Sequence, residues 1–135
     1  MKLHKVLVMC TGNSCRSIIG EALINAKFKD IQAYSAGTNP SGKVNPNAKK
    51  VLTQNKIWDN RYYSKNLDEL SDVNFDLVIT VCDQAKESCP IFPKDIKKIH
   101  VGFIDPDGKD YKEFEKTYNE VKEILLPKIK EIFNV

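Results

Sequence analysis

A chain of 135 residues with 21 Lys+Arg against 18 Asp+Glu carries a formal charge of +3, well short of the footprint of a nucleic-acid binder. Hydrophobic residues at 41% and charged residues at 29% describe an ordinary globular protein, expected as one domain over residues 1–135. The longest apolar run near the start, Val6 to Cys10, is too short for a bilayer span or a signal h-region, which gives a cytoplasmic location as the expectation.

Lys5 to Met9, followed at once by Thr-Gly-Asn after Cys10, predicts a doubly buried parallel strand. Ile18, Ile19, Ala22, Leu23 and Ala26 recur at helical spacing, predicting a helix from Ser17 to about Phe28 with Ser17 as N-cap. Ile31 to Ala36 reads as a shorter strand ending at Gly37. Asn45-Pro46 opens a second helix running to about Gln54, with Asn as cap and Pro at the first helical position. Asp76 to Val81 is the clearest β-branched run and predicts a central strand, and Lys98 to Val101 predicts a weaker fourth. From about Phe114, residues Phe114, Tyr118, Val121, Leu125 and Ile129 mark a long closing helix, which Pro127 should kink or split because it lacks the backbone donor. No repeat or linker divides the chain. The alternation predicts a doubly wound α/β fold, a four-stranded parallel sheet flanked by helices with right-handed crossovers.

In a reducing compartment the four cysteines are expected as catalytic thiols, metal ligands or buried filler, not as a disulfide framework. Their spacing misses the common zinc patterns, so no metal site is expected. The informative segment is Cys10-Thr11-Gly12-Asn13-Ser14-Cys15-Arg16-Ser17, between the first strand and the first helix. Five intervening residues let the loop curl with its N–H groups inward, forming an anion nest at the positive end of the helix dipole. Thr11, Gly12, Asn13, Ser14, Cys15, Arg16 and Ser17 are thus the expected oxyanion-binding set. Arg16 adds a planar fork matched to two oxygens of a tetrahedral oxyanion. Cys10 is the expected nucleophile, since such surroundings favour the thiolate, and Ser17 can donate to its sulfur. Nothing requires a thiol at Cys15, which reads as structural.

Cys82 follows the third strand directly, and Asp105 falls just beyond the fourth. Ligands of parallel α/β sheets bind beyond the carboxyl ends of the strands, so Cys10, Cys82 and Asp105 should converge on one rim. On spacing alone, Cys82 and Cys89 could equally be two inert thiols, and Asp105-Pro106 only a turn. His4 and His100 have no evident partner and read as structural.

The segment Cys10 to Ser17 resembles the P-loop of the low-molecular-weight protein tyrosine phosphatase superfamily. Within it, Lys5 to about Lys130 resembles the thioredoxin-coupled arsenate reductases. The matching segments are Ser35-Ala36-Gly37, Val44-Asn45-Pro46-Asn47-Ala48, Cys82-Asp83 with Cys89-Pro90, and His100 to Pro106. The resemblance implies a P-loop after the first strand, attack of Cys10 on arsenate, and Asp105 as general acid to the leaving hydroxyl. It further implies that Cys82 attacks Cys10, that Cys89 attacks Cys82, and that thioredoxin reduces the resulting Cys82–Cys89 disulfide. No tightly bound cofactor is implied, and phosphate or sulfate should compete with arsenate. A monomer without nucleic-acid or membrane partners is expected.

Were residues 82–89 helical, the two Cα atoms would lie roughly 10 Å apart, beyond the ~4.4–6.8 Å of a disulfide. Forming that bond should therefore require the segment to unwind. Ile104 and Val101 depart from the polar residue and the tryptophan frequent in such reductases. Some relatives hold potassium at positions matching Asn13, Glu21, Ser35 and residue 65; Lys65 here implies little potassium activation. Three alternatives remain: a phosphatase, for which Asp107-Gly108-Lys109 lacks the tyrosines that flank an aryl substrate, a phosphocysteine carrier, and a thiol sensor.

Overall fold

The structure, a computed structural model, describes residues 3–82 and 96–135. Its strands are β1 (His4–Cys10), β2 (Ile31–Gly37), β3 (Leu77–Thr80) and β4 (Lys97–His100), and its helices are α1 (Arg16–Lys27), α2 (Pro46–Gln54) and α3 (Tyr111–Phe133). A 3-10 turn spans Leu67–Leu70. The strands form one sheet in the order β2-β1-β3-β4, parallel throughout.

β1 is fully buried from Val6 to Cys10, and the period-two alternation of a strand sends its side chains to two cores. Val6, Val8 and Cys10 meet the inner faces of α1, α2 and α3, including Ile18, Leu52, Phe114 and Leu125. Leu7 and Met9 join Ala36, Phe75 and Val78 on the other face, with Leu67 and Leu70 of the 3-10 turn against them. A strand clamped between two apolar layers presents its C-terminal end at a defined place. Cys10 sits there, in register with Gly37 of β2.

Two local expectations need correction. Ser17 is not the cap of α1: the helix begins at Arg16, with Cys15 in the cap position. The Ser17 hydroxyl is already engaged within the preceding loop, 2.9 Å from Cys10 Sγ and 2.7 Å from Asn13 Nδ2. Pro127 does not split the closing helix, which is continuous through 23 residues. Pro127 and Glu123, whose carbonyl loses its donor, both lie on the exposed face, where water can satisfy that oxygen. Leu125 and Ile129, both fully buried, hold this turn to the core at ~1.5–3 kcal/mol each. The helix starts three residues before Phe114 because Asp110 caps it, accepting from the Glu113 amide. β3 and β4 are trimmed or shifted by one residue relative to the sequence reading.

Candidate active site

The loop between β1 and α1 has its carbonyls tied outward. The amides of Thr38, Asn39, Ser41 and Asn45 donate to the carbonyls of Cys10, Thr11, Gly12 and Ser14 at 2.9–3.1 Å, and Ser64 Oγ donates to the Gly12 carbonyl at 3.0 Å. With those oxygens facing out, the amide edge of the loop faces the cavity it encloses. Asn13, in the left-handed region at φ 47°, points its N–H at Cys10 Sγ, 3.2 Å away. The loop also presses close to β2. A Cβ on Gly37 would stand 2.5 Å from the Thr11 carbonyl oxygen, so only glycine fits there.

Asn13 is fully buried and links three segments. Its Oδ1 accepts from the Lys65 amide at 2.9 Å and its Nδ2 donates to Ser17 Oγ. Beside it, Ser35 Oγ donates to Glu21 Oε1 at 2.6 Å. Burial raises the Glu21 carboxyl to about 7, against the pull of the Lys65 ammonium and the Ser35 bond. Burial lowers the Lys65 ammonium in turn, and Lys65 Nζ donates to the Tyr63 carbonyl at 2.9 Å. The four positions that the sequence resemblance grouped are therefore neighbours, and a lysine charge stands among them.

The cavity over Cys10 has a volume of about 240 Å³ and is lined by Cys10, Thr11, Gly12, Ser14, Cys15, Arg16, Ser41, Asp105 and Asp107. Arg16 reaches across it. One terminal nitrogen donates to the Phe103 carbonyl at 3.1 Å, and the other lies 3.4 Å from Asp105 Oδ2. Its Nε is buried with no hydrogen-bond partner among the described residues, a donor left over in a site built for acceptors. Cys82 Sγ lies 3.3 Å from Thr11 Oγ1 and borders a second cavity of about 410 Å³, shared with Arg16, Gly102, Phe103 and Ile104. Cys10 and Asp105 thus line one cavity beyond the carboxyl ends of the strands, and Cys82 lines the neighbouring one, with Arg16 bordering both.

Cys89 lies outside the described residues. Cys15 is buried beside Ser14 Oγ, and burial pushes its thiol up to about 12, with Asp107 and Asp105 adding to the effect. His100 Nδ1 pairs with Thr80 Oγ1 at 2.8 Å and His4 stacks on Phe133; neither lines the cavity over Cys10. Sequence reasoning missed Ser64 and the wider part played by Asn45, whose capping signal masked its contact with the cradle.

A four-stranded parallel sheet whose first strand delivers Cys-x5-Arg-Ser to a helix N-terminus is the architecture of the low-molecular-weight phosphatases. The chain belongs to that family: the profile described as low molecular weight phosphotyrosine protein phosphatase matches residues 5–132. It is 37% identical over 123 residues to arsenate reductase 1 of Staphylococcus epidermidis, covering 90% of this chain and 92% of the relative. Among solved structures, arsenate reductase from Archaeoglobus fulgidus superposes with a TM-score of 0.75 at 30% identity, over 96% of this chain and 99% of the other. The low molecular weight protein tyrosine phosphatase from T. tengcongensis superposes at 0.83 with 27% identity, over 95% and 99%.

Proposed function

We propose that this chain reduces arsenate to arsenite, with Cys10 as nucleophile and Cys82 and Cys89 as a thiol relay regenerated by thioredoxin. The observation that carries this reading is the second thiol: Cys82 Sγ sits 3.3 Å from Thr11 Oγ1, on the loop that holds the nucleophile. A hydrolase has no use for it.

Arsenate enters the amide-lined cavity, where Arg16 supplies a fork of donors. The Cys10 thiolate attacks arsenic, and Asp105 protonates the departing hydroxyl, which leaves as water. Cys82 then attacks Cys10 Sγ. The S–As bond breaks with its electron pair passing to arsenic, arsenite departs, and a Cys10–Cys82 disulfide remains. Cys89 attacks Cys82, frees the Cys10 thiolate and stores the oxidation as Cys82–Cys89, which the dithiol of thioredoxin reduces. Among the described residues the cavity lining carries no aromatic ring to grip an aryl ester, which supports a small inorganic oxyanion as substrate. In this reading residues 1–135 act as one domain, as a cytoplasmic monomer. Lys65 stands in for a metal cation beside Glu21 and Ser35, so exchanging sodium for potassium leaves turnover unchanged.

The test is multi-turnover arsenate reduction with thioredoxin, thioredoxin reductase and NADPH. Cys10→Ser and Cys82→Ser should lose turnover, and Cys89→Ser should stop after one cycle as a Cys10–Cys82 disulfide. Full turnover by Cys82→Ser would overturn the relay. The family also supports phosphatase chemistry, because Cys10, its loop and Asp105 suffice for phosphate-monoester hydrolysis. Cys82→Ser separates the two activities: aryl phosphate hydrolysis persists where reduction is lost.

A further inference from the structure

We propose that Asn45 and Asp107 form a clasp that positions the Asp105 carboxyl over the oxyanion cradle. This inference rests on the reading of Asp105 as general acid. A loop-borne acid must be held within hydrogen-bond reach of the leaving oxygen, and a misplacement of about 1 Å can cost up to ~10²-fold in rate. On its N-terminal side the loop is anchored well: the Val101 and Phe103 amides donate to the Thr80 and Val81 carbonyls at 2.9 and 3.1 Å, and Arg16 holds the Phe103 carbonyl. Beyond that point Ile104, Asp105 and Asp107 are all exposed, and Gly108 turns the chain at φ 80°.

The clasp secures this far side. Asn45 Nδ2 donates to Asp107 Oδ1 at 2.8 Å, joining positions 62 residues apart. Asn45 is itself a rigid post. Its Oδ1 caps α2 by accepting from the Asn47 amide at 2.8 Å, which fixes the side-chain amide with Nδ2 outward. Its backbone N–H donates to the Ser14 carbonyl of the cradle at 3.0 Å. One residue therefore references the acid loop directly to the oxyanion loop.

Asp107 passes that reference on. Its amide donates to Asp105 Oδ1 at 3.0 Å, leaving Asp105 Oδ2 as the oxygen turned to Arg16, 3.4 Å away. Asp105 Oδ1 is thereby held as an acceptor, and Oδ2 is left as the oxygen beside the Arg16 fork that binds the oxyanion. Asp107 and Asn45 are positioning residues: they act on the reaction through Asp105.

The test measures steady-state kcat and KM for arsenate and amide hydrogen exchange over residues 103–110. The variants are Asp107→Ala, Asn45→Ser (which keeps a helix cap but removes Nδ2), their double mutant, Asp107→Asn and, as reference, Asp105→Asn. Asp107→Ala and Asn45→Ser should each lower kcat about tenfold, below the ~10²–10⁴ a general acid contributes, with KM nearly unchanged. Both should speed exchange over residues 103–110. The double mutant should be no worse than Asp107→Ala, which already removes the Asn45 bond together with the Cys15 Sγ contact to Asp107 Oδ1 at 4.0 Å. Asp107→Asn keeps the acceptor oxygen and should restore most of kcat. Wild-type kcat and exchange in Asp107→Ala, additive losses in the double mutant, or Asp107→Asn as impaired as Asp107→Ala would each overturn the clasp. Wild-type protein without arsenate turnover, or Asp105→Asn with full turnover, would instead overturn the functional reading, and the exchange measurement would still decide the clasp.

Discussion

The Ser17 hydroxyl lies 2.9 Å from the Cys10 sulfur, placed to donate to it once that sulfur is a thiolate. The orientation follows from its neighbours. The Lys65 amide donates to Asn13 Oδ1, so the opposite end of that side chain, Nδ2, donates to Ser17 Oγ at 2.7 Å. With its oxygen accepting from Asn13, the hydroxyl has its proton available to the Cys10 thiolate, which can only accept, in a fully buried setting where such a hydrogen bond is strong.

Removing that donor should slow the nucleophile without displacing it. Ser17→Ala is expected to reduce both kcat for arsenate and the rate of Cys10 alkylation by iodoacetamide at neutral pH by about tenfold, the effect of losing one hydrogen bond to a charged group. Wild-type alkylation kinetics in Ser17→Ala would contradict this.

Gly37 predicts a packing failure. In Gly37→Ala the new methyl would stand 2.5 Å from a backbone oxygen and 3.0 Å from Asn13 Cβ, and neither can swing aside as a flexible side chain would. Destabilisation of about 1–3 kcal/mol is expected, read as a lowered midpoint in urea unfolding. Arsenate turnover should fall with it, because the cradle itself must shift.

Glu21 predicts a pH dependence of stability. Burial raises its carboxyl in the folded state to about 7 from 4.5, so between those values the folded protein binds a proton that the unfolded chain releases. By linkage, this contribution to stability is complete below the unfolded value and declines as pH rises through about 7, by an amount of order 3 kcal/mol. Glu21→Gln should flatten the profile between 4.5 and about 7 in urea unfolding. An unchanged slope in the variant would place the titrating group elsewhere.

Cys15 predicts a silent thiol. Held up to about 12 by burial, it remains a thiol throughout the neutral range. Alkylation of the native protein at about pH 8, mapped by mass spectrometry, should label Cys15 more than ~100-fold more slowly than a free cysteine. Labelling of Cys15 ahead of Cys10 would contradict the burial that silences it.

The architecture was largely legible in the chain. The apolar runs Val6–Met9 and Leu77–Thr80, the Asn45-Pro46 helix start and the spacing of Phe114 to Ile129 each report a local period that the fold obeys. Where the reading slipped, a tertiary contact had claimed a local signal. Ser17 carries the preference of a cap residue but spends its hydroxyl on Cys10, and Pro127 is tolerated because buried neighbours on either side hold its turn.

For the site, the sequence by itself determined what one loop can encode. Cys10, the amides behind it, Arg16 and Ser17 lie within eight consecutive residues, and their spacing alone dictates a nest at a helix N-terminus. Only the tertiary structure decided which distant groups orient that nest. Asn13 meets Lys65 across 52 residues, Asn45 meets Asp107 across 62, and Thr11 meets Cys82 across 71. Such contacts leave no periodicity in the chain, because they depend on how the sheet order β2-β1-β3-β4 returns separate strand ends to one edge.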